Sequence, residues 1–223
     1  MLGGDLFRDL PEAELRRLVA VATRRRFARG EIVFHRGDPA DTLHLILRGH
    51  FAARVESAVG DTVTVSVHGP GDAFGELAVL DSEQRRSTTV AALEPGETYA
   101  VHRDEFTALR NAYPSINEVL VRLLAARVRR TSELYVESLF SDAERRVVRR
   151  LLELASLYGG ARPGTVIPLS QNEIAGLAAT SRATVNRVLR NEARQGAVEL
   201  QRGRTTILDP QALARRAGGP GRT

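Results

Sequence analysis

The apolar rhythm of the chain changes three times, and each change predicts a different kind of element. Residues 5–26 open with a short helical pattern in which Pro11 stands near a start and Leu15, Leu18, Val19 and Ala22 share one face. From 30 to 107 the pattern shifts to strands. EIVFHRG, TLHLILRGHFAARVE, DTVTVSVHGPG and STTVAALEPGETYAVHR alternate or run apolar with β-branched residues. Glycines at 30, 37, 49, 60, 69, 71 and 96 punctuate them, and many short strands at such spacing suggest a barrel or double-sheet roll.

From about Pro114 to Phe140 the rhythm is helical and long, roughly 39 Å at 1.5 Å per residue. Val121, Leu124, Val128, Thr131 and Tyr135 follow alternating steps of three and four, a coiled-coil seam. Leu120, Leu123 and Leu134 form a second stripe suited to the roll. A helix with two apolar stripes needs two neighbours, and one roll supplies only one. The seam is therefore expected to meet its own copy in a two-fold dimer. A helix buried wholly within one chain would carry the same stripes.

Ser141-Asp142 reads as a cap before AERRVVRRLLELASLYGG, which ends in a Gly-Gly stop. The turn-rich ARPGTVIP then leads to a short helix (172–178) and a longer one (about 181–195), joined by Ala178-Ala179-Thr180. After Gly196, AVELQRGRTTILD reads as a two-stranded hairpin. Two helices around a tight turn, followed by a β-wing, describe a winged helix-turn-helix. Residues 218–223 read as a disordered tail.

Charge sharpens this division. The 223 residues contain 32 basic side chains, all arginine. Residues 1–140 hold 18 of them against 20 acids, a net of −2, while residues 141–223 hold 14 against 7, a net of +7. The whole basic excess lies in the last third, which suits a polyanion partner or an arginine-rich solvated surface. In a helix-turn-helix the first turns of the second helix enter the major groove. Ser181, Arg182, Ala183, Thr184, Asn186 and Arg187 occupy that end. Arg182 and Arg187 lie within about 140° of each other round the axis, and their planar forks suit guanine O6 and N7. Ser170, Asn172, Ser181 and Thr184 are short donors of the kind that hold phosphates.

Hydrophobic residues make up 43% and charged residues 26%, with no apolar run long enough to span a membrane. The opening MLGGDLFRDLPEAE has acids where an export signal carries basic residues, so a cytoplasmic location is expected. The chain has no cysteine, which excludes disulfides, thiolate zinc sites and iron–sulfur clusters. Five histidines (35, 44, 50, 68 and 102) are scattered, so no metal site is expected. No nucleophile–base pair or nucleotide-triphosphate loop supports an enzyme.

One stretch remains, FGELAVLDSEQRRSTTV at 74–90. It could be core packing followed by a polar turn, or backbone amides, hydroxyls and an arginine gathered round one anion. A roll, a long helix and a winged helix in this order resemble the Crp/Fnr family of bacterial transcription regulators, nearest the cyclic AMP receptor protein type. The resemblance runs over about residues 5–215 and rests on GDAFGEL (71–77), RRSTTV (85–90), RRTSE (129–133) and SRATVNRVL (181–189). It implies an α+β fold with a cyclic-nucleotide-binding β-roll at 1–113, a dimerisation helix and hinge at 114–140, and a DNA-binding domain at 141–217.

Gly75-Glu76-Leu77 followed by Arg86-Ser87 matches the family's phosphate-binding cassette. Arg86 can pair with a cyclic phosphate, with the Ser87 hydroxyl and the amides of Ser87 and Thr88 completing an anion nest. Glu76 can accept from a ribose 2′-OH, steadied by Arg127. Thr131 and Ser132 match family positions that contact the adenine amino group. The resemblance thus implies cyclic AMP as an allosteric ligand and no other cofactor. Cyclic GMP, a cyclic dinucleotide or ligand-independent action are the alternatives. Its implied partners are pseudo-palindromic double-stranded DNA, a second copy of the chain and RNA polymerase, with no membrane. Many relatives carry Glu where this chain has Ala183, which leaves the operator open.

Overall fold

The computed structural model describes residues 11–56, 62–80 and 85–218. Two compact units divide the chain: Met1–Val55 with Ser66–Thr131, and Ser132–Thr223 with Glu56–Val65.

The chain opens with α1 (Glu12–Val21), β1 (Thr23–Phe27), β2 (Ile32–Phe34), β3 (Thr42–Arg48), β4 (Phe51–Glu56) and β5 (Thr62–His68). Then come β6 (Ala73–Phe74), α2 (Leu77–Leu80), β7 (Thr89–Ala92), β8 (Gly96–His102) and α3 (Arg103–Ala112). The strands form two four-stranded sheets in the orders β1-β8-β3-β6 and β2-β7-β4-β5. Phe27, Phe34, Ile46, Phe51, Phe74 and Val90 fill the roll, with Phe27 and Phe51 edge to face at 5.7 Å. A second cluster gathers Leu18, Leu43, Leu45, Val101, Phe106, Ile116, Val119 and Leu120, so helices cover one end of the roll.

The helical reading of 5–26 requires correction. Its helix spans Glu12–Val21, Thr23–Phe27 is a strand paired with β8, and residues 1–10 lie outside the described residues. Three successive arginines gave β1 no apolar alternation, and only Phe27 is buried. Pairing across the sheet selects the strand, because Arg24 and Arg26 both hold Glu97 on β8.

The long helix α4 (Pro114–Phe140) has the predicted bounds. Ile116, Val119 and Leu120 are buried against the roll, and Leu123 packs beside them. On the seam stripe Val121, Val128 and Tyr135 are 65–67% exposed in the single chain.

The second unit contains α5 (Ala143–Gly159), β9 (Val166–Ile167), α6 (Gln171–Leu177), α7 (Arg182–Arg194), β10 (Val198–Gln201), β11 (Arg204–Ile207) and α8 (Pro210–Arg216). Asp142 caps α5 through the Arg145 amide, and Gly160 closes it with φ 74°. Ser170 opens α6 with a reciprocal capping box to Glu173, and Ser181 caps α7. Val147, Leu151, Ile167, Ile174, Val185, Leu189, Ile207 and Leu213 form the buried core. Two elements of this unit have no counterpart in the sequence reading, as α2 and α3, within or after the stretch read as strands, had none in the first. β9 adds a third strand to the wing, and α8 packs on α5 behind its Asp209 cap. Of the stretch read as a disordered tail, Gly218 is described and residues 219–223 lie outside.

Candidate anion cradle and nucleic-acid interface

The stretch that follows β6 turns at Gly75, whose φ of +78° is easy only for glycine. A Cβ there would stand 2.7 Å from Arg86 Nη1 and 3.0 Å from the Thr42 carbonyl oxygen. The turn buries Glu76, 3% exposed, and Arg127 on α4 meets its Oε1 at 2.7 Å. Arg127 also donates to the Ala73 carbonyl, so its guanidinium is fixed at two points. Oε2 of Glu76 is buried without a hydrogen-bond partner.

Arg86 arrives from the other side. Its amide donates to the Asp38 carbonyl, and its own carbonyl accepts from Gly37. The side chain is 6% exposed, donates from Nη1 to the Thr42 carbonyl and from Nη2 to the Thr42 hydroxyl (both 2.7 Å), and lies 4.0 Å over the Phe34 ring. Asp41 is 3.6 Å away. Its Nε–H is buried and unpartnered. Burial lowers the Arg86 pKa from its ordinary value, and Asp41 and Asp38 oppose that shift. Arg85 instead is exposed and donates to the Gly37 carbonyl. The pair of arginines is thus divided into one facing the cradle and one on the surface.

An orphaned acceptor on Glu76 and an orphaned donor on Arg86 suit a ligand with one hydroxyl donor and one anionic acceptor. Gly75, Glu76, Arg86 and Arg127 come together as the sequence suggested. Leu77 is exposed on α2, Ser87 is exposed and Thr88 half-buried on the run into β7, and Thr131 and Ser132 are exposed on the next turn of α4. The sequence reading missed Phe34, Asp41 and Thr42, because Asp-Thr before a strand reads as an ordinary turn and the contacts are purely tertiary. It also missed His44, which stacks on Phe74 at 5.0 Å and meets the Thr98 hydroxyl. Burial, followed by the Arg86 charge, pushes its pKa down to about 3.

In the second unit, α6 and α7 are joined through Ala179, which adopts φ 47°. Arg146 on α5 clamps this turn by donating to the carbonyls of Ala178 and Ala179. Buried Val185, Val188 and Leu189 turn the opposite face of α7 outward, and Arg182, Ala183, Arg187, Arg190 and Arg194 are all exposed there. No acid occupies the first turn of α7. Ser170 and Asn172 are exposed at the start of α6. Ser181 and Thr184 lie 3.1 Å apart through their hydroxyls. Asn186 is turned inward, donating to Gln171 Oε1 on α6, so it braces the two helices. Arg187 pairs with Glu144 on α5 at 3.0 Å, a partner outside the motif that gave no signal in the sequence.

Among the described residues no group of three or more His, Cys, Asp or Glu could hold a metal, and no helix is long and apolar enough to cross a membrane. Residues 24–113 match the cyclic nucleotide-binding domain and residues 145–216 the Crp-like helix-turn-helix domain. The chain is 34% identical over 220 residues to the cyclic AMP receptor protein of Thermus thermophilus, covering 98% of this chain and 99% of that one. It is 35% identical over 194 residues to a CRP-like cAMP-activated global transcriptional regulator of Mycobacterium tuberculosis, covering 86% of each. The Thermus thermophilus catabolite activator protein superposes with a TM-score of 0.55 at 31% identity, over 97% of this chain and 99% of that one.

The chain belongs to the Crp/Fnr family. It is a DNA-binding transcription regulator whose N-terminal unit is a cyclic nucleotide-binding domain. As a Crp/Fnr protein it carries an exposed alanine, Ala183, in the first turn of α7.

Proposed function

We propose that this regulator is a homodimer whose binding to pseudo-palindromic DNA is controlled by cyclic AMP. The observation that carries the proposal is the matched pair of buried, unpartnered atoms, Glu76 Oε2 and Arg86 Nε, on either side of Gly75. Cyclic AMP has a ribose 2′-OH for the first and a single negative phosphodiester for the second. Three N–H groups of Arg86 remain after its two bonds to Thr42, enough for a charge-assisted contact. Thr131 and Ser132 face the adenine amino group in this reading, and the amides of Ser87 and Thr88 complete the nest.

The exposed Val121, Val128 and Tyr135, with Leu124 between them, support a second copy of α4 as the partner of this helix. Ligand acts on DNA binding to the extent that it binds the DNA-competent state more tightly, typically about 1–3 kcal/mol. On DNA the bound dimer presents itself to RNA polymerase. Titration calorimetry with cyclic AMP, cyclic GMP, 2′-deoxy cyclic AMP and a cyclic dinucleotide tests the ligand. Cyclic AMP is expected to bind most tightly, with the 2′-deoxy analogue at least tenfold weaker. Equal affinity for both would remove Glu76 from the site, and tighter binding of another nucleotide would replace the ligand. Replacing Leu124 and Val128 together by Glu places like charges across the seam, and the chain should then sediment as a monomer. A dimer in that experiment refutes the seam.

A further inference from the structure

Two arginines are exposed at the reading end of α7, but their surroundings differ. Arg182 makes no ion pair among the described residues, whereas Arg187 Nη2 meets Glu144 Oε1 at 3.0 Å. The acid is not placed by Arg187. It stands in the first turn of α5, where the helix N-terminus favours a carboxylate and the Asp142 cap fixes the backbone. Nor does the first turn of α7 supply an acid, residue 183 being alanine, and the one acid of the helix, Glu192, is buried and pairs with Arg216. Glu144 and Arg187 line an open groove of about 490 Å³ with Asp142, Arg145 and Asn191, which leaves the side chains room to separate.

We infer that Glu144 is an internal counter-ion for Arg187, which DNA must displace before Arg187 can make a contact, so that it restrains binding to any duplex. The inference rests on the reading of Arg187 as a base-contacting residue. The side chains are 68% and 58% exposed, and an exposed pair of this kind shifts an equilibrium only a few-fold. A bidentate arginine–guanine contact is worth on the order of tenfold to a hundredfold, so operator DNA takes Arg187 away from Glu144. A lone phosphate offers a weaker, salt-screened contact than a guanine edge. On DNA without the guanine, Arg187 stays with Glu144 and adds no phosphate contact. Operator DNA bears the whole cost of breaking the pair and mixed sequence bears no more than that, so the counter-ion loosens binding to both. Glu144 is a positioning residue in this scheme, acting only through Arg187.

The test uses the full chain and two duplexes, with and without cyclic AMP. One duplex carries the site recovered by binding-site selection, and the other is mixed sequence lacking it. Glu144→Gln should tighten binding to the selected site a few-fold and to the mixed duplex by no more than that, so the specificity ratio holds or rises. The slope of log K against log salt on the mixed duplex should steepen by about 0.9, the signature of one added phosphate contact. Both changes should vanish when Glu144→Gln is made in an Arg187→Gln background. An equal gain in both backgrounds overturns the proposal, since removal of any surface acid would then explain it. So does a loss of affinity for the selected site in Glu144→Gln, because Glu144 would then orient Arg187 for DNA. If Arg187→Gln alone leaves the selected site unaffected, the base-contact reading fails first and takes the proposal with it.

Discussion

The cradle and the reading face both use arginine and glutamate, but they place them oppositely. In the roll, Arg86 and Glu76 are 6% and 3% exposed and held by backbone carbonyls, a ring and a second arginine. On the winged helix, Arg187 and Glu144 are mostly exposed and, among the described residues, hold only each other. A buried polar atom left unpartnered is costly, so Glu76 Oε2 and Arg86 Nε suit the ligand proposed for this site. An exposed pair is weak, so Arg187 can exchange Glu144 for another partner. Under the proposed function, recognition of one small molecule and contact with many sequences would draw on the same side-chain types at different depths.

The largest effect expected from this contrast is at Arg86. Arg86→Leu should lower cyclic AMP affinity at least tenfold in a protein that still folds, because removing one side of a largely desolvated charge pair costs a few kcal/mol. Arg85→Leu, on the surface, should change it less than threefold. Calorimetry giving the reverse order would exchange the two arginines in the site.

Next in size is the reading face. Loss of Arg182 or of Arg187 to Ala should each cost about 1–3 kcal/mol on the selected site and far less on mixed sequence. Uniform losses on both duplexes would make them phosphate contacts.

The contrast also has a pH arm. His44 is held down at about 3 in the folded roll, against an ordinary value of 6.5. The unfolded chain therefore takes up a proton between those values that the folded roll refuses. Stability rises with pH through that window and is lost on acidification. His68, pushed to about 4 by burial and then by Arg127, works in the same direction. Thermal midpoints of His44→Gln should fall less steeply from pH 6.5 to 4 than those of the native chain. Parallel curves would remove His44 as a source of acid lability.

The smallest expected effect is confined to one operator position. Ala183 cannot accept a hydrogen bond, so the half-site should tolerate several bases beside the guanines. Ala183→Glu restores an acceptor for cytosine N4 and should sharpen that position alone. Identical selected sites for both proteins would show that residue 183 does not face the bases.

Much of this was legible in the sequence, for physical reasons that differ by element. The bounds of α4 could be read because one helical period runs unbroken from Pro114 to Phe140. Gly75, Glu76 and Arg86 could be read because the chemistry of an anion cradle permits few residue types. β1 could not, because Arg24, Arg25 and Arg26 are exposed and the strand is selected by β8. Thr42, Asp41 and Phe34 reach Arg86 from distant parts of the chain, and no local pattern marks them. Asn186 was read as a groove residue, but Gln171 turns it inward to brace α6.

Helix α5 joins three distant fastenings. Near its middle, Arg149 and Arg150 grip both carboxylate oxygens of Glu137 on α4, at 3.0 and 2.5 Å. One turn earlier Arg146 pins the Ala178–Ala179 turn, and at its start Glu144 holds Arg187. A helix of 17 residues is a rod of about 25 Å that bends little under thermal load. In mechanical terms α5 is a crank: it is bolted to the end of α4 and carries the reading helix on its other journals. Of the three fastenings the exposed Glu144–Arg187 pair is the one that slips, while the Glu137 and Ala178–Ala179 grips are partly buried.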